Sequence, residues 1–137
     1  MFGFGKKDKI DKLVNAIGSV ITGQTILMTI SADQLIRDVQ KEPLIAGYFL
    51  GFQLHLIQNS PFPEKDHQGI LSDSYYNLFG PDGDKAKLFA FQMAGARNAA
   101  FNAGIEFAIN DLTEWQSNPS NSPIGLLRLI DRLYPSS

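Results

Sequence analysis

Two polar pairs interrupt apolar helical patterns in this chain, and any chemistry would be built from them. Gln53 and His55 lie within the apolar stretch 43–57, and Arg97 and Asn98 lie within a proline-free run from Asp84 to Gln116. On a helix Arg97 and Asn98 project toward Ala94 and Phe101, away from the polar strip of Asn102, Glu106 and Asn110. An arginine on an apolar face needs a carboxylate or several carbonyls to offset its desolvation. Either it forms a structural ion pair or lays its stem on the core with its head in water, or it belongs to a pocket for an anionic or hydrogen-bonding ligand. The candidate ligand-binding set is therefore Arg97, Asn98, Gln53 and His55.

The remaining constellations lead less far. A neutral His55 could shuttle a proton or bind a metal. The other histidine, His67, stands at no H-x-x-x-H spacing from it, so a satisfied core or interface histidine is the simpler reading. Asp82 and Asp84 flank Gly83, but Lys85, Ala86 and Lys87 follow where a calcium loop needs oxygen ligands. Asp84 fits better as the N-cap of a helix. Glu106, Asp111 and Glu114 share a helix without sharing a face. No G-x-S-x-G, phosphate-loop or dinucleotide pattern occurs. The absence of cysteine removes disulfides, thiolate zinc sites and cysteine nucleophiles. No catalytic residue, metal or cofactor is assigned.

The elements that position these residues read as helices. Residues 1–8 form a lead-in, with Ile10, Leu13, Val14, Ile17 and Ile21 then recurring at helical spacing. Thr25 to Ile30 is ambiguous between helix and extended chain. Ser31 to Gln34 has the form of a capping box and opens a short helix through Lys41, with Leu35, Ile36 and Val39 inward. Pro43 suits the first turn of the next helix. From Leu44 to Gln58 that helix is apolar almost all round, so it is either buried on every side or completed by a partner.

Asn59 to Gly69 reads as the longest loop, Ser72 to Phe79 as a short helix closed by Gly80, and 81–84 as a turn. A long central helix follows to Gln116, with Gly95 and Gly104 as its weak points. Phe91, Ala94, Phe101, Ile105, Ile109, Leu112 and Trp115 fall on one of its faces, and small residues recur along it four apart at Gly95, Ala99 and Ala103 and at Ala96, Ala100, Gly104 and Ala108. Gly47 and Gly51 form a G-x-x-x-G on the apolar helix, whose natural mate is the Gly95 to Gly104 ridge; a subunit interface is the other reading. Ser122 and Pro123 open a last helix carrying Leu126, Leu127, Leu129, Ile130 and Leu133.

The expected fold is thus all-α: one domain over 1–137, a bundle of five to six helices around the long one. The 137 residues suit a single core, and 44% apolar with 19% charged residues is a globular composition. A net charge of −2, with both signs well mixed, argues against a nucleic-acid binder. Behind Lys6, Lys7 and Lys9 no signal-peptide core follows, and Phe2 excludes the myristoylation pattern. The stretch 43–57 falls short of the roughly 20 residues of a membrane span. A cytoplasmic protein without stable membrane association is expected.

The expected function is a non-catalytic helical interaction or regulatory module, a homodimer or a binder of a protein partner. Two alternatives stand beside it. One is a small-molecule-binding helical domain with an aromatic-lined pocket, which ten phenylalanines and four tyrosines could furnish. The other is an enzyme using His55 or a carboxylate as acid or base. Nothing in the residues identifies a ligand, partner or pathway.

Overall fold

The computed structural model describes residues 5–25 and 30–118. Among the described residues six α-helices occur in order: α1 (Lys6–Thr25), α2 (Ala32–Val39), α3 (Pro43–Gln58), α4 (Glu64–Phe79), α5 (Gly83–Gly95) and α6 (Ala99–Ser117), with a 3-10 turn at Gly80–Asp82 before α5. No strand occurs among the described residues. The last helix read from the sequence, and residues 26–29 of the ambiguous segment, lie outside the described residues.

The centre of the bundle is α3. Every residue from Ile45 to Gln53 is buried, because α6 packs along one side while α4, α5, α2 and α1 close the others. The absence of a polar face is therefore met inside one chain. A partner is not needed to explain it, which withdraws the reason for expecting a dimer through this helix.

The α3–α6 contact is the most extensive among the described residues, and glycine makes it possible. A Cβ on Gly47 would overlap the carbonyl oxygen of Phe101 and sit 2.9 Å from its carbon. One on Gly51 would lie 3.0 Å from the Ile105 Cα. In the other direction, a Cβ on Gly104 would overlap the Leu44 carbonyl oxygen and stand 2.8 Å from the Tyr48 nitrogen. Gly47 and Gly51 thus lie at backbone distance from the 101–108 part of α6, whereas Gly95, Ala96, Ala99 and Ala100, which the spacing placed on the same ridges, are exposed.

The long helix is not continuous. Its polypeptide leaves α5 at Ala96, passes through Arg97 at φ 54°, and re-enters a helix with Asn98 as N-cap. The Arg97 nitrogen donates to Ala94 O at 3.1 Å and the Asn98 nitrogen to Met93 O at 3.1 Å. Those two bonds are a Schellman ending with arginine in the left-handed position that glycine usually takes. The Asn98 side chain then accepts from the Phe101 nitrogen at 2.9 Å, satisfying a donor that the new helix would leave orphaned. The break lets two segments approach α3 separately. α5, with Gly83, Ala86 and Ala90 buried, packs on α4 and α3, and α6, with Phe101, Gly104, Ala108 and Leu112 buried, packs on α3.

Other expectations stand or shift. Val14, Ile17 and Ile21 are buried as the α1 stripe implies, but α1 begins at Lys6 and takes in the end of the supposed lead-in. Ser31 caps α2, accepting from the Gln34 nitrogen at 3.1 Å. The Gln34 side chain, however, turns forward to Asp38 instead of back to the cap. Pro43 is the first residue of α3. The long loop shrinks to 59–63, because the charged run supplies Glu64 and Asp66 to the first turn of α4, where acids complement the helix dipole. Asp84 is not the cap of α5: Asp82 holds that position, already in helical conformation and without a capping bond. The 3-10 turn feeds straight into the helix and leaves no extended residue to cap it.

Candidate functional site

The four residues proposed from the sequence are not gathered into one pocket. Gln53 is fully buried on α3, with its Nε2 donating to Phe49 O at 2.8 Å. His55 is half-buried, and its ring forms no hydrogen bond or ion pair among the described residues. Asn98 is occupied as a helix cap. Arg97 is exposed, contrary to its expected burial, because the helix ends before it and its left-handed backbone turns it off the core face. The helical projection that placed it inward assumed a helix that stops at Gly95.

Within the bundle two polar groups stand out. Gln24 of α1, Tyr48 of α3 and Asp111 of α6 form a chain through the core: Gln24 Nε2 donates to Tyr48 Oη at 3.0 Å, and Tyr48 Oη donates to Asp111 Oδ2 at 2.6 Å. A phenol to carboxylate bond of this length is charge-assisted, and it ties three helices together. A second cluster lies between α3 and α4, where Gln53 Oε1, Ser74 Oγ and Tyr75 Oη are buried without a hydrogen-bond partner among the described residues. Burial pushes the Tyr75 phenol well above its ordinary range, and the neighbouring Gln53 amide only partly counters this. Such a phenol stays protonated and cannot act as a base near neutral pH.

Of the residues in these clusters only Gln53 belongs to the candidate set read from the sequence. A tyrosine inside an all-apolar helix has a hydroxyl to satisfy, and Asp111 continues the Gly104, Ala108 ridge by a further three residues; both were available signals. Glu64 and His67 stand at E-x-x-H spacing, visible in the sequence and overlooked above, and share the first turn of α4. His67 Nε2 is spent on Phe62 O at 2.9 Å, and Asp66 pairs with Lys6 at 2.8 Å. Among the described residues no group of three metal-ligating side chains occurs.

Two surface features remain. A half-open apolar cavity of about 310 Å³ lies between α1, α2, α3 and α4, walled by Ile21, Leu35, Phe49 and Phe79 with Thr22 and Ser31 at its rim. The second is the outer face of α5. Leu88 is 58% and Phe91 37% exposed, and Tyr76, 66% exposed, belongs to the part of α4 that packs on the start of α5. Phe91 was expected to face the core. It faces out because the inner face of α5 consists of Gly83, Ala86 and Ala90, which bring its backbone close to its neighbours: a Cβ on Gly83 would stand 2.6 Å from Tyr75 O. Small residues thus line the closest approach while Phe89 and Met93 pack beside them against the core, and the outward face with Leu88 and Phe91 is the candidate functional site. No helix among the described residues is long and apolar enough to cross a membrane. In comparisons with known proteins no family model matches the chain, and neither a curated protein nor a solved structure matches it.

Proposed function

We propose that this protein is a non-catalytic helical interaction module that self-associates through the outer face of α5. The observation that carries the reading is the pair Leu88 and Phe91, large, apolar and exposed one turn apart on a helix whose fully buried residues are Gly83, Ala86 and Ala90. Exposed apolar residues grouped on one element mark association surfaces more often than scattered ones do. The test is mass in solution across a concentration series. The wild-type chain is expected to shift from monomer toward dimer by several hundred micromolar, and Leu88→Glu to remain monomeric with unchanged helicity. A wild-type chain that stays monomeric throughout would refute the reading.

A second reading, binding of a small apolar molecule, draws support from the cavity beside Phe49 and Phe79, whose volume of about 310 Å³ lies at the lower end of ligand pockets. A fluorescent apolar probe should bind, and Ile36→Trp, which fills the cavity mouth, should abolish the signal. Probe binding unaffected by that substitution would exclude this cavity.

A further inference from the structure

We infer that α5 pairs with α5 of a second copy in antiparallel orientation, about a two-fold axis passing between Leu88 and Phe91. The inference rests on the reading of this face as an association surface and adds its partner and register. Asp84, Leu88, Phe91 and Gly95 are all exposed, and they follow one another by four, three and four residues. That is the seam along which one helix meets another. The seam can meet a second copy in parallel or reversed, and the reversed arrangement matches unlike residues. Leu88 then lies against the partner's Phe91, and Asp84 lies over the partner's Gly95, where the missing side chain leaves room.

Charge selects the same register. Asp84 stands at one end of the seam and Arg97 just beyond the other, both exposed and neither in an ion pair among the described residues. An antiparallel pair brings each Asp84 beside the partner's Arg97, twice by symmetry. A parallel pair would set Asp84 against Asp84 on the seam, and like charges facing each other disfavour it. The pairing also gives a use to an arginine held at φ 54°, a conformation that glycine would adopt more readily. With 13 residues α5 is about 20 Å long, so the contact is smaller than the ~800 Å² per partner of tight complexes. The dimer is accordingly weak and reversible.

Charge reversal tests this with the full-length chain. Asp84→Arg and Arg97→Asp each replace two attractive contacts by two repulsive ones, and each should raise the dimer dissociation constant about tenfold at low salt. The double reversal should bring it back to within about threefold of wild type, and added salt should flatten all these differences. Thermal melts of dilute protein check that every variant folds. A dimer that Leu88→Glu dissociates but neither reversal weakens would overturn the antiparallel register and leave the α5 surface standing. So would single effects that merely add in the double variant. A dimer indifferent to Leu88→Glu forms through another face and overturns both, as does a chain that never dimerises.

Discussion

Adding one methyl group at Gly47 should destabilise this protein more than most surface truncations could. The new Cβ would overlap the Phe101 carbonyl oxygen and lie 2.9 Å from its carbon. Both are backbone atoms of α6 that cannot swing aside as a side chain could. Relief requires α3 and α6 to separate by roughly 1 Å, and a gap of that size forfeits about a quarter to a half of each dispersion contact along the seam. Tyr48, Phe52, Phe101, Ala108 and Leu112, all fully buried, would be loosened together. Overpacking usually costs about 1–3 kcal/mol, and a rigid backbone neighbour puts Gly47→Ala at or above ~3 kcal/mol. For 137 residues the entropy of unfolding is about 0.29 kcal/mol/K at ~2.1 cal/mol/K per residue, so the melting temperature should fall by roughly 10 °C.

The assay is thermal unfolding by circular dichroism at low protein concentration, with Gly69→Ala as the control. Gly69 lies within α4 with nothing within 4 Å of a Cβ position, so the same substitution there should stabilise by about 0.5–1 kcal/mol. A Gly47→Ala melting temperature within ~2 °C of wild type would refute the close backbone approach of α3 and α6, on which the bundle rests.

At the α5–α6 joint, Asn98→Ala should cost about 1 kcal/mol by removing the cap on the Phe101 nitrogen, whereas Arg97→Gly should stabilise the dilute monomer by up to ~1 kcal/mol by relieving the left-handed arginine. An Asn98→Ala variant as stable as wild type, or an Arg97→Gly variant less stable than wild type, in chemical denaturation would contradict the joint described above. Tyr48→Phe should cost about 1.5–3 kcal/mol, because it removes a charge-assisted bond to Asp111 and the acceptor of Gln24; an unchanged denaturation midpoint would mean the chain of bonds does not hold in solution. Tyr75 has a folded-state pKa raised by burial above the ordinary 10.0, so its contribution is fully present below pH ~10 and declines as pH rises beyond it, by about 1.4 kcal/mol for each pH unit. Tyr75→Phe should therefore flatten the alkaline fall in stability, and identical pH profiles for the two proteins would sink that assignment.

The interior was legible where it depends on spacing. The Val14, Ile17, Ile21 stripe, the cap at Ser31, the first turn at Pro43 and the pairing of Gly47 with the Gly104 ridge all follow from local periodicity or from the bulk of one side chain. Helix boundaries were less so. The start of α4 was hidden by its charges, which look like loop residues until the helix dipole is there to use them. The site fared worst. Arg97 was placed inward by counting along a helix that ends two residues before it, and an error of that kind rotates everything beyond the break.

Composition and period by themselves determined an all-helical chain with an apolar α3 that has to be buried, and with small residues at the places where helices meet. These are properties of single elements, set by side-chain size and by 3.6 residues per turn. Which of two readings applied to α3, a subunit interface or an intramolecular core, was decided only when five other helices closed around it. The direction of α5 was decided the same way. Its sequence offers a small face with Ala86 and Ala90 and a large face with Leu88 and Phe91, and transfer free energy alone would bury the large one. Only the tertiary arrangement, which demands a close approach of its backbone to α4 next to Tyr75, selects the small face for the inside. That choice leaves Leu88 and Phe91 on the surface.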